Sequence, residues 1–189
     1  GLETLPKGLL LWRGMLQWLG GIGIIVVAMG FLPELRGGGM QIFKAEAFDT
    51  LGKILPKART ISMQISVIYI SITMLCIGAY YAVGLSAFDA TVHAMTTVAT
   101  GGFSNYDASF GAFGAGAEYV CVVFMILAAL PFVRYVQLIN GSFWAIFKDV
   151  QVKSFLFIIL ILSLLTAGVI YKNFGFAEEE AIRKALFNI

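Results

Sequence analysis

The sequence is short of charge. It holds 13 Lys and Arg, 11 Asp and Glu and one His in 189 residues, so 13% are charged, where a soluble domain carries roughly 25%. Too few polar groups remain to cover a water-facing surface, which excludes a soluble enzyme and a disordered tail. A net charge of +2 supplies no basic field for a nucleic acid. Cysteine is scarce as well. Cys76 and Cys121 each lie inside an apolar run with no CxxC pair, so they read as packing residues and not as a disulfide framework or metal site. The sequence shows one His, no buried acid pair, no nucleophile with a base at plausible spacing and no metal-ligand cluster, and an enzyme is not expected. An initiator Met and a signal-peptide pattern are both missing, and the chain stops at Ile189 inside a helical pattern. It reads as an internal part of a longer protein.

What the chain has in abundance is apolar: 59% of residues are hydrophobic and the mean hydropathy is +0.88. That composition predicts an all-α integral membrane protein. A spanning helix needs about 20 apolar residues, and a charge at its centre costs roughly 3 kcal/mol, so charge-free runs mark the spans. Residues 14–33 form one such run, extended outward by Leu9–Leu11 to a helix over 9–32. Residues 60–88 form a second, longer than one span needs. Residues 119–133 form a third, which meets Arg134 and continues uncharged to Phe147, and residues 154–171 supply a fourth. Four crossings are expected.

No Lys or Arg occurs between Arg59 and Arg134. The stretch 33–59 carries Arg36, Lys44, Lys53, Lys57 and Arg59, and the stretch near 145–153 carries Lys148 and Lys153. Basic loops stay on the cytoplasmic side. Residues 85–118, with Asp89, Asp107 and Glu118 and without any basic partner, then fall outside. This segment is too rich in Gly for a span and too apolar for an ordinary loop. Ser86-Ala-Phe-Asp89 has the form of a capping box, which starts a short helix over 87–98. The pair Gly101-Gly102 ends it. Irregular backbone at membrane depth is tolerated only where protein or a water-filled path covers it, and a re-entrant pore loop meets that condition.

The chemistry of such a loop suits a cation. A dehydrated monovalent ion needs several oxygen ligands, and backbone carbonyls supply them without a fixed charge that would trap it. Thr96-Thr97-Val98-Ala99-Thr100-Gly101-Gly102-Phe103-Ser104 offers an extended, glycine-containing filter over 99–104, behind a helix whose C-terminal carbonyls would face the membrane centre.

The run from His93 to Ser109 resembles the second pore segment of the Trk-type potassium uptake proteins (the TrkH/Ktr/HKT superfamily). Trp12-Arg13, Gln17-Trp18-Leu-Gly-Gly-Ile-Gly23 and Gly38-Gly39-Met40-Gln41 resemble the helix and loop that precede it in that family. The resemblance covers nearly the whole chain and implies four helix–pore–helix repeats around one ion path. Residues 1–32 would be the closing helix of the first repeat, 33–59 a cytoplasmic loop and 60–140 the complete second repeat. Residues 141–152 would be a second cytoplasmic loop, and 153–189 the opening helix and start of the pore helix of the third repeat. Ala181 and Ala185 repeat the spacing of Ala90 and Ala94.

Carried over by resemblance, Thr100 and Gly101 would be the potassium ligands, through their carbonyls. Gly102 matches the glycine shared by the repeats, and Ala99 and Phe103 flank these as backbone contributors. Ser104 stands where potassium channels have a second glycine, which implies fewer sites and looser discrimination against sodium. The resemblance also implies a bacterial inner-membrane location in contact with lipid and a cytoplasmic nucleotide-binding ring protein of the TrkA type. It implies pairing of two full-length chains and potassium as the transported ion, with no organic cofactor and no nucleic acid. Coupling to protons or sodium (symport) stays open. The alternatives are a non-conducting scaffold subunit and the potassium-binding subunit of an ATP-driven pump.

Among the remaining residues, Arg134 is a gating or electrostatic candidate, with snorkelling to the interface as the plainer reading. Asp107 and Glu118 are candidates for concentrating cations at the mouth, with exposed surface acids as the plainer reading. His93 is either a pH sensor or a hydrogen-bonded structural residue. Gly20, Gly21 and Gly23 lack the setting of a nucleotide loop and are expected to serve close helix packing.

Overall fold

The structure, a computed structural model, describes residues 1–31 and 58–189. The expected loop 33–59, apart from its last two residues, lies outside them. Among the described residues all regular elements are helical: α1 Lys7–Phe31, α2 Ala58–Ala82, α3 Ala87–Val98, α4 Ala115–Ala129, α5 Phe132–Ile139, α6 Trp144–Lys148, α7 Val150–Phe174 and α8 Glu178–Asn188. Short 3-10 turns stand at Leu2–Thr4 and Ser109–Ala112.

The three long helices, α1, α2 and α7, have 25 residues each, or about 37 Å at 1.5 Å per residue, longer than a hydrocarbon core of about 30 Å. Many Ile, Thr and Ser residues would weaken α2 in water. In lipid the helix closes its own backbone bonds and no competing partner exists. Its hydroxyls follow suit: Ser66, Ser71 and Thr73 donate to the carbonyls of Ser62, Val67 and Tyr69, one turn back, at 2.8–2.9 Å. Ile61–Ala82 and Val150–Asn173 are each apolar and long enough to cross a membrane. On α7, Leu156, Phe157, Leu160, Leu164 and Leu165 are exposed, a surface suited to lipid.

The third expected crossing is not straight. α4 stops at Ala129, and α5 leaves it at 82°. Pro131 is the cause. It forces the preceding residue out of helical dihedrals, and Leu130 stands at φ −69°, ψ 148°. Pro131 then opens α5, where a missing N–H costs nothing. On α5, Val136 is fully buried against Ile61, Ile65 and Ile68 of α2.

α3 is held by α1, α2 and α4. Its buried residues, among them Ala90, Val92, His93, Ala94, Thr97 and Val98, cover most of its circumference and leave one half-buried stripe of Phe88, Thr91 and Met95. The core on it includes Tyr69, Tyr80, Phe110 and Cys121. α8 packs on α4 and α7 and buries Ala181 and Ala185 completely, as α3 buries Ala90 and Ala94.

Candidate functional site

The site begins with the cap of α3. Ser86 Oγ accepts from Asp89 N at 3.1 Å, and its hydroxyl donates to Asp89 Oδ2 at 2.7 Å, so the cap closes through side chains. From this start twelve residues carry the chain inward to Val98.

The far end of α3 shapes the candidate filter. Thr100 N–H donates to Thr97 O at 2.9 Å and Gly101 N–H to Thr96 O at 2.9 Å, with Thr100 left-handed at φ +56°. This is a Schellman closure, with Thr where glycine is usual. Gly102 N–H also turns back to Thr96 O, at 3.1 Å, and Gly102 is left-handed at φ +62°. Residues 99–102 are therefore a wound turn of alternating hand and not the extended strand expected. The physical reason is that the last carbonyls of a helix need donors, and these three amides supply them. The carbonyls of Thr96 and Thr97 are consumed in the process and do not face an ion.

The same bonds fix where other oxygens point. A trans peptide holds C=O opposite to N–H, and the chain has no cis bonds among the described residues. Because the amides of 100, 101 and 102 point back at α3, the carbonyls of Ala99, Thr100 and Gly101 point away from it. Among the described residues no hydrogen bond uses these three oxygens. Phe103 O differs, since it lies 2.7 Å from the Thr96 hydroxyl.

Beyond Phe103 the chain is tied back to α3 by a buried polar network. His93 Nδ1 lies 2.8 Å from Asp89 O and Nε2 lies 3.0 Å from Ser104 Oγ. Asn105 N–H points at the same Nε2 at 3.4 Å, so Nε2 is the acceptor and Nδ1 carries the proton. Ser104 Oγ then donates to His93 and accepts from Tyr106 N at 3.1 Å. Asp89 receives Asn105 Nδ2 at 3.1 Å and the Tyr106 hydroxyl at 3.2 Å. His93 is completely buried and serves as a hydrogen-bonded structural residue. Behind α3, the Tyr80 and Thr97 hydroxyls meet at 2.7 Å.

The remaining candidates lie elsewhere. Asp107 accepts from Leu2 N at 2.8 Å. Arg134 pairs with Asp149 and also donates to Gln137 Oε1 at 2.8 Å. Burial disfavours the charged form of Asp149, but the hydrogen bonds from Arg134 and from Gln151 N–H outweigh it and hold this carboxyl below the usual carboxylate range. Glu118 overturns the expectation that the acids of 85–118 have no basic partner. It is 4% exposed and paired with Arg183 and, at 3.3 Å, with Lys184. Of the α1 glycines, Gly21 does pack closely, since a Cβ there would stand 2.7 Å from the Tyr69 hydroxyl, whereas Gly20 and Gly23 face open space. Among the described residues no group of three or more His, Cys, Asp or Glu could hold a metal ion. The oxygens assembled at this site are backbone oxygens.

Long apolar helices around an enclosed short helix define an all-α integral membrane protein. The comparisons give the class a family. Residues 1–169 match the family model TrkH, described as a cation transport protein. The chain is 46% identical over 165 residues to the Trk system potassium uptake protein TrkI of Halomonas elongata, covering 86% of this chain and 34% of that protein. It is 36% identical over 199 residues to the Trk system potassium uptake protein TrkH of Vibrio parahaemolyticus, covering 99% and 40%. The crystal structure of the potassium transporter TrkH from Vibrio parahaemolyticus superposes with a TM-score of 0.80 at 32% identity, covering 99% of this chain and 38% of that one. The chain thus spans between a third and two-fifths of the length of these relatives. It belongs to the TrkH cation transport protein family, a family of transporters and not of enzymes.

Proposed function

We propose that this chain takes part in potassium uptake across a bacterial inner membrane, and that residues 60–140 are one complete helix–pore–helix repeat of the transporter. In this reading residues 1–32 and 153–189 belong to the neighbouring repeats. Ala99, Thr100 and Gly101 give the ion its carbonyls, Gly102 supplies the left-handed turn that keeps them aligned, and Phe103 carries the chain outward to the His93 clamp. One observation carries the reading: the amides of 100–102 turn back onto the end of α3, which leaves three unused carbonyls facing the other way. Such a row can replace a cation's hydration shell without a fixed charge. The relatives named as potassium uptake proteins support potassium as the ion. The buried alanine pairs of α3 and α8 support a second pore helix beginning at α8. The reading brings with it a cytoplasmic nucleotide-binding ring partner and pairing of two full-length chains.

The test is ion uptake by the full-length transporter carrying Gly102→Ala, in cells that lack other potassium uptake. An added Cβ meets both a positive φ and the Met125 Cε, 3.1 Å away. Potassium uptake should fall by about tenfold or more, with altered preference over sodium. Unchanged rate and preference would favour a scaffold role.

A further inference from the structure

One face of α1 runs along the proposed filter, and its residues are spaced three and four apart: Gly14, Gln17, Gly21. The two glycines let the helix approach. A Cβ on Gly14 would stand 3.0 Å from Val92 Cγ1, and one on Gly21 would stand 3.2 Å from Ala99 Cβ. The depth of α1 is fixed at the same level, because Trp18 Nε1 donates to Thr73 Oγ1 at 3.0 Å and the Tyr69 hydroxyl donates to Trp18 O at 2.9 Å. Between the glycines stands a polar side chain. The carboxamide of Gln17 occupies the space that a side chain at residue 101 would need. Its Oε1 is buried and without a hydrogen-bond partner among the described residues. Gln17 also lines a small cavity with Thr96, Phe103, Ser104 and Asn105, residues that form and clamp the turn.

A buried acceptor without a donor is costly, and a packing role alone would be met by an apolar side chain. Gln64 Oε1 and Ser163 Oγ are also buried without a partner among the described residues, so it is the place of Gln17 against Gly101, and not the missing donor alone, that points to a task. We propose that Gln17 is a positioning residue for ion selectivity: its carboxamide braces the Gly101 peptide from the side and so sets where the Thr100 and Gly101 oxygens stand. Glycine at 101 is then required by the brace and not by a dihedral, since within this turn positive φ is found at Thr100 and Gly102 and not at Gly101. The bracing group comes from α1, outside the proposed repeat 60–140, so one repeat tunes the filter of the next. The inference rests on the carbonyl-filter reading above.

The experiment compares rubidium and sodium uptake by the full-length transporter carrying Gln17→Ala or Gln17→Met, with Gly102→Ala measured in the same cells. Displacing the brace by a few tenths of an ångström should raise the sodium-to-rubidium uptake ratio about tenfold, with maximal rubidium uptake and membrane level kept within about threefold. Gln17→Met, which keeps the length of the side chain and removes the amide, decides the matter if Gln17→Ala does not reach the membrane. Ratios within about twofold of the parent, with Gly102→Ala still impaired, would overturn the Gln17 inference and leave the filter reading standing. No effect from Gly102→Ala either would remove both. Loss of both Gln17 variants from the membrane would assign Gln17 to folding and overturn the inference as well.

Discussion

The ends of α2 and α3 share one hydrogen-bond pattern, which the end of α5 repeats with Gly141 at φ +92°, but α2 and α3 carry different residues at the critical place. At the end of α2, Gly84 N–H donates to Tyr81 O and Leu85 N–H to Tyr80 O, both at 3.1 Å, with Gly84 at φ +99°. At the end of α3, Thr100 and Gly101 make the equivalent bonds to Thr97 and Thr96, with Thr100 at φ +56°. Glycine takes the left-handed conformation freely, while a β-branched residue there costs about 1–2 kcal/mol. The first end is built for folding. The second keeps strain that a glycine would relieve, which is the pattern of a functional position held by its surroundings. Here the holding groups are the clamp of His93, Ser104 and Asn105 and the proposed brace of Gln17.

The largest difference is expected when the same substitution is placed at the left-handed glycine beside each of these two ends, Gly84 and Gly102. Gly84→Ala and Gly102→Ala each force an L side chain to a positive φ, at a cost of about 1–2 kcal/mol. Nothing stands near a Cβ on Gly84, so its variant should lose thermal stability in detergent with its potassium uptake unchanged. Gly102→Ala should lose uptake by about tenfold or more even where the protein stays folded. Equal effects on uptake would erase the distinction between the two ends. A smaller effect is expected at Thr100. Thr100→Gly removes the strain, so unfolding temperature should hold or rise, by the equivalent of about 1 kcal/mol. Freed to move, the peptide should discriminate potassium from sodium less well, by about threefold to tenfold in the uptake ratio. A variant that is more stable and equally selective would show that the strain has no function.

Much of the architecture is legible in the residue order. Apolar runs interrupted by charge locate the long helices, and Ser86 with Asp89 marks the start of α3 because a helix N-terminus needs local acceptors. Gly101-Gly102 marks a break after it. The rest escapes for physical reasons. Propensity assigns a positive φ to glycine, so nothing in Thr100 announces its left-handed state; only the three backward amide bonds create it. Pro131 announces a break, but the 82° between α4 and α5 depends on how Phe132 and Val136 pack against α2. Glu118 and Arg183 are 65 residues apart, and no local pattern links them. The unused carbonyls are a property of backbone direction, which residue types do not encode. Gln17 is visible in the sequence as a polar residue in an apolar helix, and that was the available signal for a role beyond packing.

A third helix boundary extends the comparison to an end closed by charge. Asp149 caps α7 by accepting from Gln151 N at 2.7 Å and pairs across the junction with Arg134 of α5. Its carboxyl is held below the usual carboxylate range, against burial, by these bonds. A group whose folded pKa is lowered adds stability that is present above its unfolded value, near 3.9, and lost as pH falls through the folded value. Between about pH 5 and 8 the junction should therefore be insensitive to acid, and any acid effect on uptake in that window comes from another group. Asp149→Asn keeps an acceptor for Gln151 and removes the charge, leaving half-buried Arg134 with Gln137 alone; the cost should be about 1 kcal/mol in stability, smaller than a cut at the same pair deep in a core. Salt sharpens the point. The ion pair is partly exposed, at 18% for the Arg134 side chain, so added salt should narrow the stability gap between parent and Asp149→Asn, as screening weakens the parent's pair. The Gly84 and Thr100 variants, whose effects lie in dihedrals, should keep their differences from the parent at every salt concentration. A gap at Asp149 that salt leaves unchanged would show that attraction between the two charges is not what the substitution removes.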